Sequence, residues 1–143
     1  MDHLAIMESK LAFIPKILDG RKTIESRWYK IRRAPWGKIK RNDVVYFKNS
    51  GKLATTKATV TRVVEYNNLT NREIKRILGE HWKRLGIPKE GLSDFYKRVE
   101  NKNYCILMFL KNPQKVMPLK VNKKGFGTMA SWICVEDINK LKF

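Results

Sequence analysis

Between Tyr104 and Leu110 the chain reads YCILMFL, seven residues with no charged or amide side chain among them. A membrane-crossing helix needs about 20 such residues, so this run is too short to span a bilayer. It has the length and continuity of a strand buried on both faces, which belongs inside a sheet covered on each side. The rest of the chain supplies the other strands and their cover. HLAIME near the start reads as a first strand, and KTIESRW as a second over about Lys22–Trp28, with β-branched and alternating character. DVVYFKNS and TTKATVTRVVEY, separated by a turn at Ser50 and Gly51, form an expected antiparallel pair. VMPLKV is expected as a separate short strand limited by Pro118, with a closing segment SWICVEDINKL after the loop KKGFGTMA.

Helices are expected in two places. FIPKILDG carries Pro15 at a position suited to a helix start and Gly20 where a C-terminal cap falls. In the middle third, Thr70 and Glu73 stand at capping-box spacing before Ile74, Ile77 and Leu78, and a further helix is expected from about Ser93. Strands, then a helical insertion over about 67–103, then strands again define an α+β domain built on a small curved or barrel-like sheet. The order of the strands does not follow from this pattern. A length of 143 residues with 43% hydrophobic content fits one domain, residues 1–143, with no repeats or linkers.

Charge narrows the partner. Thirty-one Lys and Arg against 13 Asp and Glu leave a net charge of +18. So few acids cannot pair the bases into ion networks, and the excess favours polyanions, nucleic acid first among them. Cys105 and Cys134 stand apart, with no CxxC and no histidine at ligand spacing, so neither a disulfide framework nor a metal site is expected, and no cofactor is called for. The N-terminus lacks a signal-peptide layout and no long amphipathic helix offers a membrane anchor. A cytoplasmic protein with no membrane partner is the expectation.

The densest cluster runs from Arg21 to Arg41. Nine bases, Arg21, Lys22, Arg27, Lys30, Arg32, Arg33, Lys38, Lys40 and Arg41, stand there against one acid, Glu25, with Trp28, Tyr29 and Trp36 among them. Bases contact phosphates and aromatic faces stack unpaired nucleobases, each stack contributing roughly 1–3 kcal/mol. Trp28 alternates with Ile24 and reads as a core residue; Trp36, between Pro35 and Gly37, is the expected stacking side chain. Lys123 and Lys124 before the glycines at 125 and 127, with Ser131 beyond, form a second candidate surface. His3 and His81 have no acid or nucleophile at telling spacing and read as structural or surface residues.

Within the cluster, Gly20, Lys22, Glu25 and Arg27 spell G-x-K-x-x-E-x-R after a short helix and before a strand. In motif and position, and in the following RNDVVYFKNSG, the chain resembles the ASCH domain family of the PUA-like superfamily. The resemblance covers residues 3 to about 66 and implies a compact mixed β-barrel with flanking helices, the motif lining a surface cleft. It also implies an RNA-related role. Some family members are ribonucleases, and a subgroup hydrolyses an acetylated cytidine with a threonine where this chain has Glu25.

Three functions follow in order. The first is a nucleic-acid-binding module, RNA before DNA, using the basic cleft around the motif. The second is a metal-independent ribonuclease with Lys22, Glu25 and Arg27 as its catalytic set, Glu25 taking the proton of a ribose hydroxyl. The third, an amidohydrolase acting on a modified nucleoside, ranks last because it would not need so large a charge. On a regular strand Glu25 and Arg27 share a face, so they also read as a structural ion pair. Lys22 meets them only if the turn rotates it inward; otherwise it is a solvated lysine.

Overall fold

The computed structural model describes residues 1–127 and 130–143. Of the expected glycine loop, Thr128 and Met129 lie outside the described residues.

Among the described residues, six strands and three α-helices follow one another along the chain. β1 (Asp2–Met7) leads into α1 (Phe13–Leu18), then β2 (Ile24–Tyr29), β3 (Val44–Asn49) and β4 (Ala54–Tyr66). α2 (Asn71–His81) and α3 (Leu92–Val99) follow, joined through a short 3₁₀ turn, before β5 (Tyr104–Leu119) and β6 (Trp132–Val135). The sheet order is β2-β5-β4-β3-β1-β6, with β1 and β3 parallel and the other pairs antiparallel. It curls into a mixed half-barrel of the expected α+β class.

The apolar run of β5 does what its composition demands. Cys105, Ile106, Leu107 and Met108 are all fully buried, and alternate residues enter different cores. Ile106 and Met108 join Ile14 and Ile17 of α1 with Phe47, Val60 and Trp132, while Cys105 and Leu107 join Ile74, Ile77, Phe95 and Val99 from α2 and α3. Period-2 geometry makes one strand the partition between both cores.

Local differences have local causes. VMPLKV is not a separate strand, because β5 continues through Pro113 and Pro118 to Leu119. Beyond Leu110 its register partners are on β4 alone, so each proline sits where one side of the strand makes no ladder. Pro15 is the third residue of α1 rather than the first, and β2 begins at Ile24 rather than Lys22. Gly20 lies one residue past the helix cap at φ +85°, the left-handed position that glycine takes without strain. The Thr70–Glu73 capping box forms in full at the start of α2.

Candidate nucleic-acid interface

β2 is an edge strand, paired to β5 on one side only. Its other side faces a gap in the half-barrel, a cleft of about 550 Å³. One wall is the end of β1 and the turn after it (Met7, Glu8, Lys10); the opposite wall is α3 and the turn beyond (Phe95, Arg98, Lys102). Glu25, Arg27, Tyr29 and Ser131 line the interior, with Lys123 at the same opening.

The motif residues converge. Lys22 Nζ lies 3.2 Å from Glu25 Oε1, and Arg27 Nη2 lies 3.0 Å from Glu25 Oε2. Lys22 also donates to the carbonyl oxygens of Ile24 and Leu85, both at 2.7 Å, so the three protons of the ammonium are committed. Its Nζ stands 4.2 Å from the centre of the Phe13 ring. The expectation of Lys22 as a phosphate contact or a solvated lysine is corrected here: it is 2% exposed and does not reach the cleft. The segment after α2 seals it, with the Arg84 carbonyl accepting the Thr23 and Ile24 amides and the Leu85 carbonyl accepting Nζ. Gly86, at φ +79°, presses so close that an added Cβ would meet the Lys22 Cβ at 3.0 Å.

Burial pushes the Lys22 ammonium below its ordinary value, against the pull of Glu25. Burial would raise the Glu25 carboxyl, but the charges of Lys22 and Arg27 outweigh it and hold the group below the usual carboxylate range. Glu25 is therefore an ionised carboxylate with both oxygens occupied: Oε1 also accepts the Ser26 amide, and Oε2 accepts Arg27 Nε.

Arg27 spans the gap. From β2, at one end of the sheet order, its guanidinium donates to the Ile6 carbonyl of β1 and the Ser131 carbonyl just before β6, both at 3.2 Å. Its Cζ sits 5.0 Å from the Trp132 ring centre. Trp132 Nε1 donates to His3 Nδ1 at 3.0 Å, and His3 Nε2 lies 2.9 Å from Asp43 Oδ2. With Nδ1 accepting, the proton must reside on Nε2, facing the carboxylate. Burial lowers the His3 pKa, outweighing the attraction of Asp43. His3 is structural, as expected, but it does have an acid partner, 40 residues away in sequence and invisible to local spacing.

Arg27, Lys123 and Ser131 are the expected nucleic-acid contacts that line the cleft. Arg21 is exposed and paired with Asp19 at 2.7 Å. Lys30, Arg32, Arg33, Lys38, Lys40 and Arg41 are exposed on the 30–43 loop outside the cleft, and Lys124 is exposed beyond its lining. Trp36 is not a free platform: its ring packs edge-on against Tyr104 at 5.1 Å, with Arg32 5.7 Å above it. Trp28, read as core, does pack half-buried against the core under α2 and α3 and also lines the cleft, its indole N–H on Ser26 Oγ at 2.9 Å. Sequence reading named Tyr29 among the aromatics of the basic cluster but missed Lys10, Arg98, Lys102 and Phe95 as lining residues. Nothing in local spacing signalled that Arg98, near the end of α3, and Lys102, in the turn after it, share the cleft.

No family model matches the sequence, and no curated protein matches it. Solved structures do. A mutant of an ASCH protein from Zymomonas mobilis superposes with a TM-score of 0.69 at 14% identity, over 97% of this chain and 93% of that one. The fold is that of an ASCH domain. Another structure of the Zymomonas mobilis ASCH protein gives 0.67 at 15% identity, over 94% and 87%. The N-terminal domain of Staphylothermus marinus McrB gives 0.53 at 15% identity, over 83% and 76%. These likenesses establish the ASCH-like fold for nearly the whole chain, including the helices of the middle third.

Proposed function

We propose that this ASCH-like chain is a nucleic-acid-binding domain, with RNA preferred over DNA, that takes one unpaired nucleotide into the cleft along β2. The observation that carries the reading is the cleft itself. Its volume of about 550 Å³ suits a small organic ligand, with Trp28, Tyr29 and Phe95 offering aromatic surface and Arg27 and Ser131 polar groups. The +18 charge supplies attraction to the phosphate backbone, with the exposed 30–43 loop as the densest source. The preference for RNA rests on the resemblance to PUA-like domains.

Glu25 is poorly placed as a general base. It is 4% exposed, ionised below the usual range and held at both oxygens, so taking a proton would break its pairing with Lys22 and Arg27. Binding without cleavage is therefore the primary reading.

The test is a titration with labelled single- and double-stranded RNA and DNA across a salt series, each sample then run on a denaturing gel with and without chelator. Saturable, salt-sensitive binding of single strands that stay intact is expected. Absence of binding at low salt overturns the reading. RNA that is shortened even with chelator, and stays intact with a Glu25→Gln variant, replaces it with a ribonuclease.

A further inference from the structure

We propose that Arg98 and Lys102, with Lys10 on the facing wall, form a phosphate-binding subsite at the mouth of the cleft, and that Glu8 occupies it as an internal anion until ligand arrives. This rests on the reading of the cleft as a nucleotide site and deepens it by assigning the phosphate contacts to α3 and the turn after it.

The interior and the mouth of the cleft differ in how their charge is balanced. Inside, Glu25 is enclosed by Lys22 and Arg27, and Arg27 donates further to the Ile6 and Ser131 carbonyls. The interior is thus built to hold its own shape, with little cationic capacity left for a phosphate. At the mouth the bases are exposed or half-buried. Arg98 is 50% exposed, Lys10 is exposed and Lys102 half-buried, and all three line the cleft.

Arg98 Nη2 lies 3.0 Å from Glu8 Oε2, a pair that joins residues 90 apart in sequence and bridges the two walls. The same guanidinium stands 5.8 Å from the Phe95 ring centre, which limits its freedom before any ligand is present. The Glu8 carboxylate, 70% exposed, thus marks where an anion meets Arg98. Exposed pairs of this kind contribute little and exchange readily. A phosphate offers more acceptor oxygens and more charge than a carboxylate, and guanidinium binds it with the same two-pronged geometry. Lys10 and Lys102 can then add to the same anion, whereas Glu8 must withdraw from it.

The arrangement makes removal of an acid and removal of a base act in opposite directions. Calorimetric or NMR titrations would use the four ribonucleosides and their 3′- and 5′-monophosphates, with inorganic phosphate as control, on the wild-type chain and the Arg98→Ala, Lys102→Ala and Glu8→Gln variants. Thermal melts establish that each variant folds. The expected result is a monophosphate bound at least about tenfold more tightly than its nucleoside, the size of one charge-assisted contact. Arg98→Ala and Lys102→Ala should shrink that ratio with nucleoside affinity unchanged, and Glu8→Gln should enlarge it. Equal affinity of nucleoside and monophosphate for the wild-type chain overturns the subsite while leaving the nucleotide cleft standing. So does a ratio that none of the three variants changes. Failure of every nucleoside and nucleotide to bind overturns both.

Discussion

At the scale of residues, the Lys22, Glu25 and Arg27 side chains act first as architecture. A buried charge is tolerated only when paired and hydrogen-bonded, and each of the three is. Lys22→Met would leave the Ile24 and Leu85 carbonyls without their donor and Glu25 with one cation instead of two. We expect a loss of about 3–5 kcal/mol in chemical denaturation. His3 gives a second prediction. Its neutral form is the one the fold requires, since Nδ1 accepts the Trp132 N–H, and its pKa lies below the ordinary 6.5. The unfolded chain therefore takes up the proton first as pH falls. The stabilisation is complete above about pH 6.5 and is lost below it, down through the folded pKa. Denaturation midpoints should fall between pH 7.5 and pH 5, and fall less in a His3→Gln variant; equal slopes would exclude His3 as the source. Spacing in the sequence showed that Glu25 and Arg27 share a face. It could not show the fate of Lys22, because the groups that enclose it come from Phe13 and from residues 84–86.

At the scale of elements, α2 and α3 do more than cover β5. Their amphipathic faces fill one core, the segment after α2 closes over Lys22, and α3 forms a wall of the cleft. The start of α2 was legible because a capping box is a local signal: Thr70 Oγ1 accepts the Glu73 amide, and the Glu73 carboxylate accepts the Thr70 amide in return. Thr70→Ala should cost about 1 kcal/mol, read as a lower denaturation midpoint with an unchanged slope. The continuity of β5 was not legible, since proline signals a strand end unless one knows that the strand has no partner on one side. Trp36 departs from its expected role for a related reason. Flanking Pro35 and Gly37 mark a loop, but loops also pack inward, and Tyr104 lies on β5, far along the chain.

At the scale of the whole molecule, the sheet does not close, and the gap left beside β2 is the cleft. Arg27 ties the two sides of that gap together through backbone carbonyls, so the motif both shapes the opening and faces into it. In the proposed binding function the charge is divided correspondingly: long-range attraction would come from the exposed bases of the 30–43 loop and local recognition from the cleft mouth. A double variant, Arg32→Ala with Arg33→Ala, should weaken binding about equally for all single-stranded sequences. It should also reduce the slope of log K against log salt by up to about 0.7 for each phosphate that these two side chains neutralise. A change in sequence preference with no change in slope would place these arginines at the base-reading site instead. Among the described residues no helix is long and apolar enough to cross a membrane, in keeping with the short apolar run of β5.

The sequence by itself determined the α+β class, the two-faced strand at Cys105–Met108, the helix cap at Thr70, the position of the G-x-K-x-x-E-x-R motif and the strong positive charge. Each of these is written in composition or in neighbours a few residues apart, where period, capping and charge act locally. Only the tertiary structure decided the strand order, the sealing of Lys22, the Asp43–His3–Trp132 chain behind Arg27 and the meeting of Glu8 with Arg98 across the cleft. Those depend on which distant segments pack together. That choice is made by the burial of whole faces and not by any local signal.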